Sequence, residues 1–439
     1  MKNKFLLLVT LFVLTASAPA QQPKSAPPAS ASQAPALDPG RAARIDQLLQ
    51  RYVEENRIAG AVALVLRDGK PVYERAVGWA DKEAGRRMNP STIFRIASQT
   101  KAFTSTAVLA LVEEGKIGLN EPVGHFIPSF AKTTIAVKSD SGINIVPARR
   151  AITIQDLLTH TAGISYGTDK NVASLYEPKG LGPAAGNGWY TADKEEPICE
   201  TMERLGTLPF VAQPGEAFVY GYNTDILGCV VEKASGMSLD EFVRTRITLP
   251  LGLKDTRFFI PPAERDRLAA VYSSGSDGKF VRAPDGSKGQ GSYVDGPRKS
   301  FAGGAGLTST AHDYARFLEM IRNGGALEGV RILAPRTVAL MTTNQSGTLH
   351  SIYGIGFRTR ISNGGPLWCE RDGGRRRFRL GWSLRNNLPS RCPEPLRSHS
   401  DDPAHAERDR HSAEVQHASL SSTGELIPAI TGVVPRAAP

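Results

Sequence analysis

The sequence predicts an α/β fold built on an antiparallel sheet packed by helices, and three consecutive stretches carry that expectation. Arg41 to Ile58 sets Ile45, Leu48, Leu49 and Val53 on one stripe at helical spacing. Two alternating runs, Ala59 to Arg67 and Pro71 to Val77, flank Arg67-Asp68-Gly69-Lys70; an Asp-Gly pair between two such runs marks a tight hairpin. After a polar turn at Ser91, the chain reads Ile93-Phe94-Arg95-Ile96-Ala97-Ser98-Gln99-Thr100-Lys101, then a long apolar run through Val108, Leu109, Leu111 and Val112. That run has the pattern of a helix entering a core. With 439 residues, 41% of them hydrophobic, the chain is long enough for one large α/β unit with a helical insertion or for two to three smaller domains.

The segments before this unit read as an export leader and a spacer. Lys2 and Lys4 precede the apolar run Phe5 to Leu14 and the small residues Ala16-Ser17-Ala18-Pro19-Ala20. The run is too short to span a bilayer, and a small-residue cleavage site follows it, so residues 1–20 are expected to be removed after Ala20. No cysteine lies near the cut, and no lipid or other stable membrane anchor is expected. The Pro/Ala/Ser-rich residues 21–39 read as a flexible linker. The folded domain is then expected over 40–363 and an atypical, disordered tail over 364–439.

Beyond the first helix, Lys116 to Val123 reads as a loop into a short segment ending near Phe130. Ala151 to His160 reads as a helix capped by Thr153, with Asp156 three residues on. Gly163-Ile164-Ser165-Tyr166-Gly167 matches the Gly-x-Ser-x-Gly nucleophile elbow, but an elbow needs a strand before it and a helix after it. Here a helix precedes and a Gly/Pro-rich loop follows, so Ser165 reads as loop. Gln213-Pro214-Gly215-Glu216 forms a turn that delivers Tyr220 just ahead of a helix with an apolar face. Ala302 to Thr310 is a glycine-rich turn into a helix over Asp313 to Asn323. It lacks the lysine that follows the last glycine of a phosphate-binding loop and therefore reads as packing.

Ser98 and Lys101 are the first candidates for chemistry. Three residues apart, they share a helical face, and a helix N-terminus favours a nearby anion. A serine hydroxyl becomes a nucleophile when a neighbour takes its proton. A lysine withdrawn from water is able to do so. The tetrapeptide alone is also compatible with an N-capping serine and a solvated lysine. His160 and His312 read as structural. Cys199, Cys229, Cys369 and Cys392 show no metal-ligand spacing, and their pairing is open. The net charge is +10, with an arginine-heavy stretch after Arg371. There is no basic amphipathic helix or aromatic–basic repeat, which argues against nucleic-acid binding.

Several segments, in order, resemble the serine β-lactamase and penicillin-binding-protein superfamily, closest to its class C-like branch with the family VIII carboxylesterases. They are Phe94 to Lys101, Leu157-Leu158-Thr159-His160-Thr161-Ala162-Gly163, Pro214-Gly215-Glu216 leading to Tyr220, Pro250-Leu251-Gly252-Leu253 and Gly303-Gly304-Ala305-Gly306-Leu307. The resemblance runs from about Ile45 to Phe357. It implies an α/β sandwich with a helical domain and a site between them. Ser98 would be the acylated nucleophile, Lys101 part of its proton relay, and Tyr220 the general base of a Tyr-x-Asn motif. The motif's third position is Tyr222, a substrate-binding candidate. In penicillin-acting members an asparagine there holds the substrate amide, so its replacement tilts the expectation toward esters. The implied substrates are small-molecule esters or β-lactams and, for a D-alanyl-D-alanine carboxypeptidase, peptidoglycan peptides. No cofactor or metal is implied. The implied location is periplasmic or secreted.

The third motif of the family, Lys-Thr-Gly, His-x-Gly or Trp-Gly-Gly on a strand after Gly356, is absent from the sequence as written. From about Gly364 the text turns to Arg, Pro, Ser, His and Asp with few apolar residues. With a suitable choice among the permitted codons, reading Phe378 to Leu388 one base later can give Phe-Gly-Trp-Gly-Gly-Ala-Tyr-Gly-Thr-Thr-Tyr, so the tail reads as a shifted frame and the C-terminal strands as disrupted. Loss of one oxyanion donor costs about 100- to 1000-fold in rate. An inactive cell-wall-binding relative is the corresponding non-enzymatic alternative.

Overall fold

Asp38 starts the fold. Its carboxylate accepts from the Arg41 N–H (3.0 Å) with Pro39 in the first turn, and α1 spans Pro39–Glu54. The structure, a computed structural model, describes residues 37–343 except 141, 184–193, 275–279 and 287–288. Beyond 343 it describes residues 345 and 349 and the backbone of three short strands.

The expected hairpin follows as β1 (Gly60–Arg67) and β2 (Lys70–Asp81). Arg67 faces Lys70 across the turn, where Asp68 (φ 51°) and Gly69 (φ 77°) both take left-handed conformations. Those angles match the twist of a two-residue hairpin. β1 is buried on both faces along nearly its whole length. On its other edge it pairs antiparallel with Glu425–Pro428.

The helix after Ser98 is α2 (Thr100–Glu113). Residues 100 to 111 are all buried, the mark of a central helix with neighbours on every side. The next element escaped the sequence reading: β3 (Thr134–Ser139) and β4 (Gly142–Pro147) form an antiparallel hairpin. α3 (Ile154–Leu158) carries the expected capping box between Thr153 and Asp156. α4 (Ile198–Gly206) leads to β5 (Pro209–Phe210), which runs parallel to β3. α5 (Asn223–Ser235) begins three residues after Tyr220 and is tied to α4 by a Cys199–Cys229 disulfide. α6 (Ala311–Arg322) starts at Thr310, whose hydroxyl accepts from the Asp313 N–H.

The main core gathers α2, α3, α4 and α5, with Phe103 of α2 stacked on Phe317 of α6 at 4.0 Å. A smaller cluster lies under the sheet, where Val62, Leu64 and Leu66 meet Ala311 and Ala315 of α6. Thus α6 fastens α2 to β1, and the start of α2 is held at the seam. In the tail, Leu367–Asp372 pairs with Arg375–Leu380, and Glu425–Pro428 joins β1. The expected leader, the expected linker through residue 36 and the rest of the tail, including residues 381–388 of the stretch read as a shifted third motif, lie outside the described residues.

Candidate functional site

Ser98 stands two residues ahead of α2, in a 3₁₀ turn over Ala97–Gln99. Ala97 has φ 45°, a region that side chains with a Cβ rarely occupy. Surrounding bonds hold it there. Ile96 N–H reaches Leu307 O (3.0 Å), and Leu307 N–H reaches Thr100 Oγ1 (3.0 Å). The turn at 302–310 therefore grips the chain on both sides of the serine.

Lys101 follows on the same face and is 0% exposed. Its Nζ donates to Ser98 Oγ (3.2 Å), Tyr166 OH (3.2 Å) and Gly304 O (2.8 Å). Tyr220 OH donates to Ser98 Oγ at 2.8 Å. The serine oxygen thus lies between an amine and a phenol, an arrangement suited to removing and returning its proton.

Backbone contacts set the two tyrosines side by side. Val219 N–H bonds His160 O (2.7 Å). A Cβ on Gly221 would stand 2.1 Å from Ile164 O, so only glycine lets the Tyr220 segment lie against the 164–166 loop. The Tyr166 ring meets Tyr220 edge-on at 5.7 Å and Tyr222 edge-on at 4.9 Å. Tyr220 stacks on His160 at 5.0 Å. Burial, joined by the charge of Lys101, pushes the His160 pKa down to about 3, so this ring is neutral at physiological pH. Asn223 Nδ2 donates to its Nδ1 (2.9 Å).

The glycine turn packs tightly, as its sequence suggests. A Cβ on Gly303 would stand 2.5 Å from Thr224 O, and Thr104 Oγ1 donates to Gly303 O (2.8 Å). It also does something the sequence did not signal. Gly304 N–H bonds the buried Asp225 carboxylate (2.9 Å), while its carbonyl turns to Lys101.

Of the four candidate residues, Ser98, Lys101 and Tyr220 meet at one point and Tyr222 does not. Tyr222 is 1% exposed, and its hydroxyl accepts from the Gly182 N–H (2.9 Å). It lies behind Tyr166, and the next residue, Asn223, is buried too. Tyr166 is the residue that sequence reasoning missed. It sits inside the Gly-Ile-Ser-Tyr-Gly stretch, directly after the serine of that elbow-like pattern. Ser165 is in loop, fully buried, and its Oγ accepts from the Gly167 N–H (3.1 Å). Among the described residues, no group of His, Cys, Asp and Glu side chains could hold a metal ion. Among the same residues, no helix is long and apolar enough to cross a membrane.

Known proteins resemble this chain over most of its length. The Beta-lactamase family model matches residues 45–386. Esterase EstB of Burkholderia gladioli is 35% identical over 74% of this chain and 78% of its own. Protein Rv1367c of Mycobacterium tuberculosis is 34% identical over 70% of this chain and 74% of its own. Among solved structures, EstCE1, a hydrolase with promiscuous acyltransferase activity, superposes with a TM-score of 0.57 at 26% identity, covering 73% of this chain and 82% of that one.

Proposed function

The chain belongs to the Beta-lactamase family, and from that premise we propose that it is an exported serine hydrolase that cleaves carboxylic esters through an acyl-enzyme on Ser98. The observation that carries this reading is the Ser98 hydroxyl held between Tyr220 (2.8 Å) and Lys101 (3.2 Å). Tyr220 acts as its phenolate, whose charge the Lys101 ammonium, 4.8 Å from the centre of the Tyr220 ring, offsets. It takes the serine proton and becomes a neutral phenol as Ser98 Oγ bonds to the ester carbonyl carbon and the carbonyl π electrons move onto its oxygen. When the carbon–oxygen bond to the alcohol breaks, Tyr220 returns the proton to the leaving oxygen. Water then attacks the acyl carbon with Tyr220 again as base, and the acid departs as Ser98 regains its proton.

Esters are favoured over β-lactam amides because neither residue after Gly221 offers a side-chain amide to the site. Tyr222 and Asn223 are both buried. The EstB likeness supports the same choice. Export is supported by the basic and apolar leader and by the Cys199–Cys229 disulfide, a bond that persists in oxidising compartments.

The test is turnover of nitrophenyl esters beside a chromogenic β-lactam, in the purified chain and in Ser98→Ala. Ester turnover that disappears in the variant is expected. Faster β-lactam turnover would replace the ester assignment, and stable penicillin labelling with slow release would identify a peptidase. The frame-shifted reading of the tail is likewise a proposal. Resequencing between the codons for Asn363 and Phe378 tests it, and an unbroken frame in independent isolates rejects it.

A further inference from the structure

Lys101 is a buried cation whose charge has no carboxylate among its hydrogen-bond acceptors. An ammonium has three N–H groups, and those of Lys101 go to Ser98 Oγ, Tyr166 OH and Gly304 O. One of these acceptors is consumed by the reaction assigned above, since Ser98 Oγ becomes an ester oxygen. The Gly304 carbonyl is fixed by the glycine turn. Tyr166 supplies the remaining hydroxyl, and its ring is braced edge-on by Tyr220 and Tyr222. The Tyr166 ring centre also lies 5.8 Å from the Lys101 nitrogen.

We propose that Tyr166 is a positioning residue for Lys101: its hydroxyl completes the shell of the ammonium and keeps the lysine charged and aimed at Ser98 while the serine oxygen is in use. The inference rests on the reading of Ser98 as nucleophile. The titratable and charged groups around Lys101 are Tyr166 and Tyr220, the neutral His160 ring that stacks on Tyr220, and Asp225, whose carboxylate holds the N–H of Gly304. Tyr222 lies beyond Tyr166. Removing the Tyr166 hydroxyl leaves one ammonium N–H unfilled at a site with no water access through Lys101 itself, which is 0% exposed. A buried donor without a partner disfavours the charged form.

The experiment is Tyr166→Phe, which keeps the ring and its packing. Labelling of the full chain by a fluorophosphonate is followed against pH. The alkaline limb of the rate profile is expected to move to lower pH by about one unit, the worth of one hydrogen bond to a charged group. At the optimum, labelling is expected to slow about tenfold, while the melting temperature holds. A profile that coincides with that of the unaltered chain overturns the proposal and leaves the nucleophile reading intact.

A second readout does not depend on reactivity. The 13Cε resonance of Lys101, assigned by its loss in Lys101→Met, is titrated in both chains. An earlier midpoint in Tyr166→Phe supports the proposal, and an unchanged midpoint overturns it, even if the unaltered chain takes no probe and the nucleophile reading fails. If Tyr166→Phe does not fold, 4-fluorophenylalanine installed at 166 fills the place of the hydroxyl with a poor acceptor that does not ionise. It is expected to shift the profile in the same direction, and no shift overturns the proposal.

Discussion

Two groups of cations in this molecule are held by opposite means. Arg257 and Arg267 form a ring with Asp255 and Glu264, at 2.5–3.2 Å, on a partly exposed surface. Each guanidinium there faces carboxylates, and the hydrogen bonds that Arg267 donates to Asp255 fix its charge more firmly still. Lys101 is fully buried and faces two hydroxyls and a carbonyl. A cation matched by carboxylates is pinned and serves structure. A cation held by neutral dipoles is free to answer a negative charge that forms beside it. The difference between the two clusters separates a device for holding elements together from one suited to chemistry.

The comparison breaks first at Lys101→Met. Fluorophosphonate labelling is expected to fall about a thousandfold or more. Urea unfolding is expected to change by only about 1 kcal/mol, because a buried charge gives back much of its pairing energy as lost hydration.

Acid is the next probe, since His160 is buried and held neutral. Its pKa is lowered by burial and by Lys101, to about 3 in the folded chain. The unfolded chain takes up that proton first, so stability from this ring is complete above about pH 6.5 and is lost as pH falls toward 3. The loss is expected to be on the order of a few kcal/mol, read by urea unfolding across that window.

Replacing Cys199 and Cys229 together by serine is expected to lower stability by about 3 kcal/mol, the worth of closing a loop of this length. Labelling well below the unfolding transition is expected to persist. Gly221→Ala drives a Cβ against Ile164 O. It should separate Tyr220 from the 164–166 loop and slow labelling about a hundredfold, as a small misplacement of a reacting group does. The smallest effect belongs to the surface ring. Arg267→Met is expected to cost about 1 kcal/mol, to become milder in high salt, and to leave labelling unchanged.

Much of this was legible because it was local. Ser98 and Lys101 share a face by their spacing alone, Asp68-Gly69 announces the first hairpin, and Thr153 with Asp156 announces α3. Tyr220 could be placed ahead of its helix from the turn at Pro214-Gly215. The rest depends on contacts between distant residues. Tyr166 reaches Lys101 across 65 positions, and no periodicity marks such a meeting. The available hint was glycine: Gly163 and Gly221 both lie where a Cβ would strike backbone, as expected where two loops are pressed together. Tyr222 looked like a site residue from its place in a motif, but it faces inward because the chain turns into α5 there. The β3–β4 hairpin carries a weak signal although its strands alternate, because Ile143 and Ile145 are largely exposed and no apolar run marks it. The Cys199–Cys229 pair is fixed only by the packing of α4 on α5.

The most direct test of the central claim is the intact mass of the purified mature chain with and without a fluorophosphonate, beside Ser98→Ala. The expected result is a gain of one probe mass that vanishes in Ser98→Ala. A folded chain that gains no mass, or a gain that persists in Ser98→Ala, would contradict Ser98 as the nucleophile held by Lys101 and Tyr220.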